Sequence, residues 1–485
     1  MNILFIMRTL ICFVFLFTSS SFAKKTRHKH NLKQKTAPQE IILRDLPCPL
    51  TIIKEQKNKQ TPKHKKHTSK KTAPDTHKLA QNSSCEPIQE KLQKNTPEKP
   101  TITTLPQSCP NIRVLIDEQD ALPKSIFTLS SKHGLLIEQE DIPKQKYPEK
   151  KLTLSIEKNK LYLLDNNAKK NKYSHVTNDS LTIYPKQGRI FFNNQAYEGA
   201  LTLHIDRQSQ KILIINKLNI DDYIYAVLGC ESLPFWPLEM HKVQAIISRT
   251  YAIYQMRQSR NLNKKQPYDI KTSNIHQVYN GSHQLTHLRE AVSDTHNLIL
   301  MYRNTVALTM FDVCCGGVIT DNIKTKDSCN PYLYRKNRCL YCANKKDAHW
   351  ERNFTEKTLF SQIERNPNLK KTIKKIGIIK DIEIKNKDKA GIVQSLKLIG
   401  SRANAVITTN QFNSCLTKKL KSKVFTMKKK KNDIILSGFG YGHCLGLCQL
   451  GAQEMVKQGC DFKEVLAFYY PGTKFARLTP KSAQA

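Results

Sequence analysis

Glu231 lies in the run Val227-Leu228-Gly229-Cys230-Glu231-Ser232-Leu233-Pro234-Phe235-Trp236-Pro237, an acid enclosed by apolar and aromatic neighbours. A carboxyl in such surroundings loses hydration, which disfavours the anion and lets the group hold a proton near neutral pH. That is the condition for a general acid. Phe235 and Trp236 offer a face on which a sugar ring can stack. The competing explanation is structural: an acid at a helix entry complements the positive end of the dipole. Glu239, in the first turn of the following helix, fits that simpler role. Arg249, on the same helix, can hold either a substrate carboxylate or an internal acid.

A second segment, Gly438-Phe439-Gly440-Tyr441-Gly442-His443-Cys444-Leu445-Gly446-Leu447-Cys448-Gln449-Leu450-Gly451-Ala452, combines closely spaced glycines with two polar side chains, His443 and Gln449. Its glycines allow close backbone approach to a ligand, or merely a tight strand-to-helix turn. No Gly-Lys-Ser/Thr closes it, so it is not a phosphate-binding loop of the Walker type. Cysteines gather at Cys314, Cys315, Cys329, Cys339 and Cys342, with His349 close behind. Cys339 and Cys342 have the Cys-x-x-Cys spacing of a structural zinc site. The adjacent Cys314-Cys315 is a poor second pair, so disulfides or free thiols are expected ahead of zinc.

The elements that must position these groups can be read from periodicity. Ile112, Val114 and Ile116 alternate with other residues, as do Leu201, Leu203 and Ile205, and residues 211–216 form a short apolar run. Period two predicts half-buried strands, so residues 111–220 are expected to be largely β. Pro237 suits a first helical position, and Val243, Ile247, Thr250 or Tyr251, and Tyr254 form one stripe, predicting a helix over 237–257. A polar loop over 264–286 carries Gln277 and Tyr279. Strands are expected at 297–302, 305–311, 379–384, 394–399 and 432–436, and a helix at 448–457. Asp461 and Glu464 have the spacing of a capping box for a further helix. The fold class is therefore α+β, with a β-rich N-terminal part.

The ends and the charge bound the surroundings. The apolar run Leu10-Ile11-Cys12-Phe13-Val14-Phe15-Leu16-Phe17 follows Arg8 and precedes Ser21 and Ala23, the layout of a secretory signal peptide over 1–23. An uncleaved anchor is the alternative. Residues 24–107 are rich in Lys, Thr, His, Pro and Gln, and are expected to form a disordered basic linker. Residues 108–485 form the expected folded domain. Of 485 residues, 79 are Lys or Arg and 40 Asp or Glu, a net charge of +39. Only the N-terminus has a long apolar run, which excludes a polytopic membrane protein. An exported chain, destined for the periplasm or cell envelope, meets no chromosomal nucleic acid, so wall polymers and anionic lipid surfaces are the expected targets of the linker. Of the 14 Cys, Cys12 lies in the leader and the remainder is odd, leaving at least one free or intermolecular if the others pair.

Several of these segments, in order, resemble the SpoIID/LytB family of stage II sporulation protein D and amidase enhancers. The resemblance runs from Asn216-Lys217-Leu218-Asn219-Ile220-Asp221-Asp222-Tyr223 through Glu231 to Glu239, Ala245, Arg249-Thr250-Tyr251-Ala252, then Gln277-Val278-Tyr279-Asn280-Gly281, Cys315-Gly316-Gly317, the glycine-rich loop, and Tyr469-Tyr470-Pro471-Gly472-Thr473. It implies a catalytic α+β core of the SpoIID type covering about 111–476, with peptidoglycan glycan strands as substrate. Sporulation members resemble lytic transglycosylases acting on strands stripped of stem peptides, and other members enhance a partner amidase. The catalytic acid falls on Glu231, with Arg249, Gln277, Tyr279, His443 and Gln449 as candidate substrate contacts. No cofactor is implied: His276 is present but no Cys adjoins it, so the metal that some relatives hold beside the Gln-Tyr element is not carried over. Departures from the pattern are Ser232 for Met, Cys444 for Gly, and Leu447-Cys448 for Met-Ser.

Overall fold

A computed structural model describes residues 103–479, except 107–110, 122–124, 140–141, 148, 158–159, 165–172, 176–178, 262–265, 274–275, 325–328, 344 and 346–347. The expected signal peptide and nearly all of the expected linker lie outside the described residues. The linker's last residues differ from expectation. Thr103–Pro106 forms a strand that pairs in parallel with the C-terminal strand Lys474–Thr479, which in turn pairs with Leu298–Tyr302.

The N-terminal part is β-rich, as the alternation predicts. One sheet runs in the order Ile270–Lys271, Asn111–Asp120, Lys211–Asn219, Ala200–Asp206, Ser180–Pro185, Leu135–Gln139, Ile142–Tyr147. A second contains Ile190–Phe192, Ile126–Ser130, Lys151–Glu157 and Lys160–Leu164. Alternate residues of both sheets, among them Leu129, Leu152, Leu154, Ile183, Leu201, Leu203, Ile212 and Ile214, enter one apolar core. Burial of these side chains is the main favourable term, at about 1.5–3 kcal/mol each relative to exposure.

The strand Lys211–Asn219 leads directly into helix α1, Ile220–Glu231. Asn219 caps it by accepting from Asp221 N, and Asp221 and Asp222 occupy the first turn, where the dipole favours acids. Residues on nearly every side of α1 are buried, so it is a core helix rather than a surface one. Glu231, weighed from the sequence as an acid at a helix entry, is instead the last residue of this helix. Helix α2, Leu238–Asn261, matches the expected 237–257, and α3 is His287–Asp294. Residues 349–439 then supply two three-stranded sheets, packed with helices α4 (Glu356–Glu364), α5 (Lys370–Ile376) and α6 (Thr409–Cys415) around a separate core that includes Leu359, Leu396, Phe412 and Leu436. Helices α7 (Gln449–Lys457) and α8 (Phe462–Tyr469) complete the α+β fold, and Asp461 and Glu464 form the expected capping box on α8.

The expected strand at 305–311 is only partly regular. Thr305–Val306 pairs with Met301–Tyr302 and Phe311–Asp312 with Leu447–Cys448, but between these two short strands Leu308 N donates to Tyr332 OH at 2.6 Å and Thr309 Oγ1 donates to Ile247 O at 2.7 Å. Side chains and backbone of neighbouring elements take the place of a ladder there.

The glycine-rich segment is a loop between the strand Asp433–Phe439 and α7. Gly446 has φ +67°, and a methyl group on it would stand 2.0 Å from Met310 O. Both facts demand glycine. Gly446→Ala is expected to destabilise the chain by more than ~2 kcal/mol in urea unfolding, through backbone strain plus the clash.

Candidate active site

Glu231 ends α1 and is 6% exposed. Its Oε1 accepts one hydrogen bond, from Val278 N at 2.8 Å, in the loop that follows α2. Burial pushes its pKa up from 4.5 to about 7, and the Val278 N–H offsets only part of that rise. A carboxylate at the negative C-terminal end of a helix gains no help from the dipole, the reverse of the helix-entry alternative. At neutral pH the group therefore divides between acid and base forms, which suits both protonation and proton abstraction.

The backbone of Glu231 is held separately. Gln449 Nε2, from the first residue of α7, donates to Glu231 O at 2.9 Å and to Gln244 Oε1 at 3.3 Å. Gln244 Nε2 donates to Ser248 Oγ at 3.3 Å, one turn along α2. Gln277 Nε2 donates to Ser248 O at 3.3 Å, and Gln277 Oε1 accepts from Tyr223 OH at 3.0 Å. This buried chain of amides and hydroxyls ties α1, α2, α7 and the Val278 loop around one carboxyl. Fully paired networks of this kind are rigid, because breaking any link strands a buried polar group.

The structure thus gives the expected contact residues different tasks. Gln277 and Gln449 are brought to Glu231, but both are buried and spend their amides on the protein. Tyr279 is 2% exposed: its hydroxyl donates to Asn216 Oδ1 and its backbone exchanges bonds with Thr272 Oγ1. Arg249, expected as a substrate contact, is fully enclosed. Its Nε donates to Asp221 Oδ1 at 2.9 Å, and its other nitrogens reach Thr295 Oγ1, Leu298 O and Val292 O at 3.3–3.4 Å. The internal-acid alternative holds for this residue. His443 is partly exposed but touches Asp312 rather than Glu231. Its Nδ1 accepts from Leu445 N at 3.0 Å, and burial lowers its pKa to about 4, so the ring is neutral at pH 7. The Asp312 carboxyl, 3.7 Å away, is pushed well above the usual range by burial, and Cys444 N donates to its Oδ2 at 2.6 Å. With the imidazole neutral, the contact is not an ion pair.

Of the aromatic pair, Phe235 is 73% exposed and free to stack on a ligand, whereas Trp236 is buried in the core. Glu239, the competing acid, bonds Phe462 N and pairs with Lys242. Sequence reasoning missed Tyr223, Gln244, Ser248 and the Val278 N–H. The signal for two of them was present: Gln244 and Ser248 flank the apolar run Ala245-Ile246-Ile247 four residues apart, and so share one face of α2.

The cysteines sort differently from expectation. Cys329 and His349 are exposed, and Cys314 is buried beside the cluster. Cys315, Cys339 and Cys342 converge instead with Cys448, the N-cap of α7, with all four sulfurs within 4.8 Å of one another. Among the described residues these are the groups disposed to hold a metal ion.

Two outcomes follow. Because the folded-state pKa of Glu231 lies above its ordinary value, unfolding is favoured progressively as pH rises from about 4.5 to about 7, after which the penalty is constant. Glu231→Gln removes that penalty, so its Tm relative to wild type is expected to rise across this window and level off above it. Arg249→Met leaves Asp221 with His296 as its remaining salt-bridge partner and strands the buried Leu298 and Val292 carbonyls, and is expected to cost ~3 kcal/mol in urea unfolding, while the folded fraction binds glycan strands as wild type does.

The chain is similar to several known proteins. The stage II sporulation protein family model matches residues 208–302, which include α1, α2 and Gln277, and a second model, Domain of unknown function (DUF8618), matches 274–446. An uncharacterized protein of Brachyspira hyodysenteriae is 32% identical over 293 residues, covering 60% of this chain and 75% of the relative. The amidase enhancer of Bacillus subtilis is 23% identical over 329 residues, and the match spans only 45% of its length. The stage II sporulation protein D of Bacillus amyloliquefaciens is 21% identical over 273 residues, covering 53% of this chain and 74% of that protein. The chain belongs to the SpoIID/LytB family.

Proposed function

We propose that this protein is an exported lytic transglycosylase that cleaves peptidoglycan glycan strands lacking stem peptides. The observation that carries the proposal is the desolvated carboxyl of Glu231, with a pKa of about 7, four positions ahead of the exposed Phe235 ring in the chain. Hydrolysis of a glycoside ordinarily needs two carboxylates, one as acid and one as nucleophile or base. A transglycosylase needs one, because the sugar supplies its own nucleophile.

In the proposed reaction, protonated Glu231 gives its proton to the glycosidic oxygen, and the bond from that oxygen to C1 of N-acetylmuramic acid breaks. The departing N-acetylglucosamine leaves with the proton as its 4-hydroxyl. The Glu231 carboxylate then takes the proton of the muramic C6 hydroxyl, O6 bonds to C1, and a 1,6-anhydro ring closes. Glu231 ends protonated, as it began. The intramolecular nucleophile is already placed, so no water or enzyme nucleophile is required. Gln449 and the Gln244–Ser248–Gln277 chain act by fixing Glu231, not by touching sugar. Phe235 is the residue available to stack on the strand. The basic stretch over 24–102 is a second point of attraction for anionic wall polymer or lipid headgroups, in keeping with the net charge of +39.

A second reading is a wall-binding enhancer of a partner amidase. The similarity to the Bacillus subtilis amidase enhancer favours it. In that reading Glu231 is needed for the fold or for binding but not for bond cleavage.

The test is mass spectrometry of soluble products released by the full chain from intact and from amidase-stripped strands, with wild type beside Glu231→Gln. Anhydro-muramic fragments are expected from wild type on stripped strands, and at least a hundredfold fewer from the variant, a loss typical of removing a general acid. Since the proton must be on Glu231 at the outset, kcat/KM is expected to fall as pH rises through about 7. Strand binding without products from either protein points to the enhancer reading.

A further inference from the structure

We infer that Cys315, Cys339, Cys342 and Cys448 form a closed structural zinc site that fastens the glycine-rich loop and α7 to the body of the protein. The four residues come from three separate stretches. Cys315 precedes the Gly316-Gly317 turn, Cys339 and Cys342 lie in a loop with Cys-x-x-Cys spacing, and Cys448 caps α7. All four are buried, and their sulfurs lie within 4.8 Å of one another. Cys342 Sγ stands 3.7 Å from Cys315 Sγ and 3.8 Å from Cys339 Sγ. Zinc–thiolate bonds of ~2.3 Å in a tetrahedron place sulfurs ~3.8 Å apart. No histidine, carboxylate or open position belongs to the set, which marks a structural rather than a catalytic centre.

The surroundings suit an anionic centre. Cys448 Sγ accepts from the backbone N–H of both Cys315 and Gly451 at 3.3 Å, and Tyr469 OH lies 3.2 Å from Cys339 Sγ. Arg335 is 2% exposed, stacks over the ring of Tyr469, and faces Cys315 and Cys339 electrostatically. Its Nε and Nη2 have no hydrogen-bond partner. Four neutral thiols would offer that buried cation only weak acceptors. Four thiolates on one divalent ion carry a net charge of −2, half of which a buried guanidinium offsets.

The site also has a consequence for the active centre. Cys448 is followed by Gln449, whose amide holds the Glu231 carbonyl. A metal at Cys448 therefore fixes the start of α7 and, through it, the end of α1. The separation in sequence between Cys315 and Cys448 means that the ion closes a long loop, where a cross-link is most stabilising.

The test is the metal content of the full chain, purified without a polyhistidine tag, by inductively coupled plasma mass spectrometry, together with the absorption spectrum after exchange into cobalt. About one zinc per chain is expected, with the ligand-field bands of tetrahedral Co(II) and a sulfur-to-cobalt charge-transfer band. Metal held by the His-rich N-terminal stretch gives no such sulfur band. Cys339→Ser and Cys448→Ser are expected to lose the zinc, and Cys329→Ser and Cys460→Ser to keep it. Stripping the metal with a mercurial and chelator is expected to lower Tm by ~10 °C or more. If the ligand variants fail to fold, the wild-type stoichiometry and cobalt spectrum decide. Disulfides among the four cysteines in the unreduced protein, or a cobalt form with no sulfur charge transfer, would overturn the inference. Either result leaves the assignment of Glu231 untouched, since product formation is measured separately.

Discussion

The Glu231 carboxyl is withdrawn from water and receives one compensating N–H, from Val278 at 2.8 Å. That imbalance is the constraint around which the site is built. A second or third donor would return the group to an ordinary carboxylate, useless as an acid at neutral pH. With none, it would stay protonated and could not take a proton back. One donor in a dry environment leaves it near 7. The surrounding structure serves to keep that environment dry and that donor in place.

Two devices do so. The apolar wall comes from α1 itself, whose residues are buried almost all round because the helix is threaded between the N-terminal sheets and α2. The polar frame is the Gln449–Gln244–Ser248–Gln277–Tyr223 chain, in which every link joins a different pair of neighbouring segments or turns. Arg249 and Asp221 fasten the other end of α1, tying its first turn to α2, α3 and the strand that follows. The Glu231 end of α1 is therefore held by neutral amides and the opposite end by a charge pair. Placing the charged residues away from Glu231 keeps their field from setting its proton affinity.

Much of this was legible in the sequence. Period-two alternation over 111–220 found the sheets, because one face of each is buried and the other is not. The stripe on α2 and the capping box on α8 were equally direct, since local chemistry decides them. Glu231 stood out by its neighbours alone. The tasks of Arg249, Gln277, Tyr279 and Gln449 were not legible, because a polar residue reads the same whether it faces a ligand or pairs inside the protein. Helix α1 was missed because a helix buried on every side has no amphipathic period. The fourth cysteine of the cluster lies 106 positions beyond Cys342, and no spacing rule reaches that far; only the fold brings Cys448 to the other three.

The central physical claim is that Glu231 keeps its proton to near neutral pH. It is tested most directly by the infrared difference spectrum between the wild-type protein and Glu231→Gln across a pH series, which isolates one carboxyl among many. The account predicts a protonated carboxyl C=O band that survives to about pH 7 before giving way to carboxylate. A band already lost by about pH 5, as for a solvated glutamate, would contradict it.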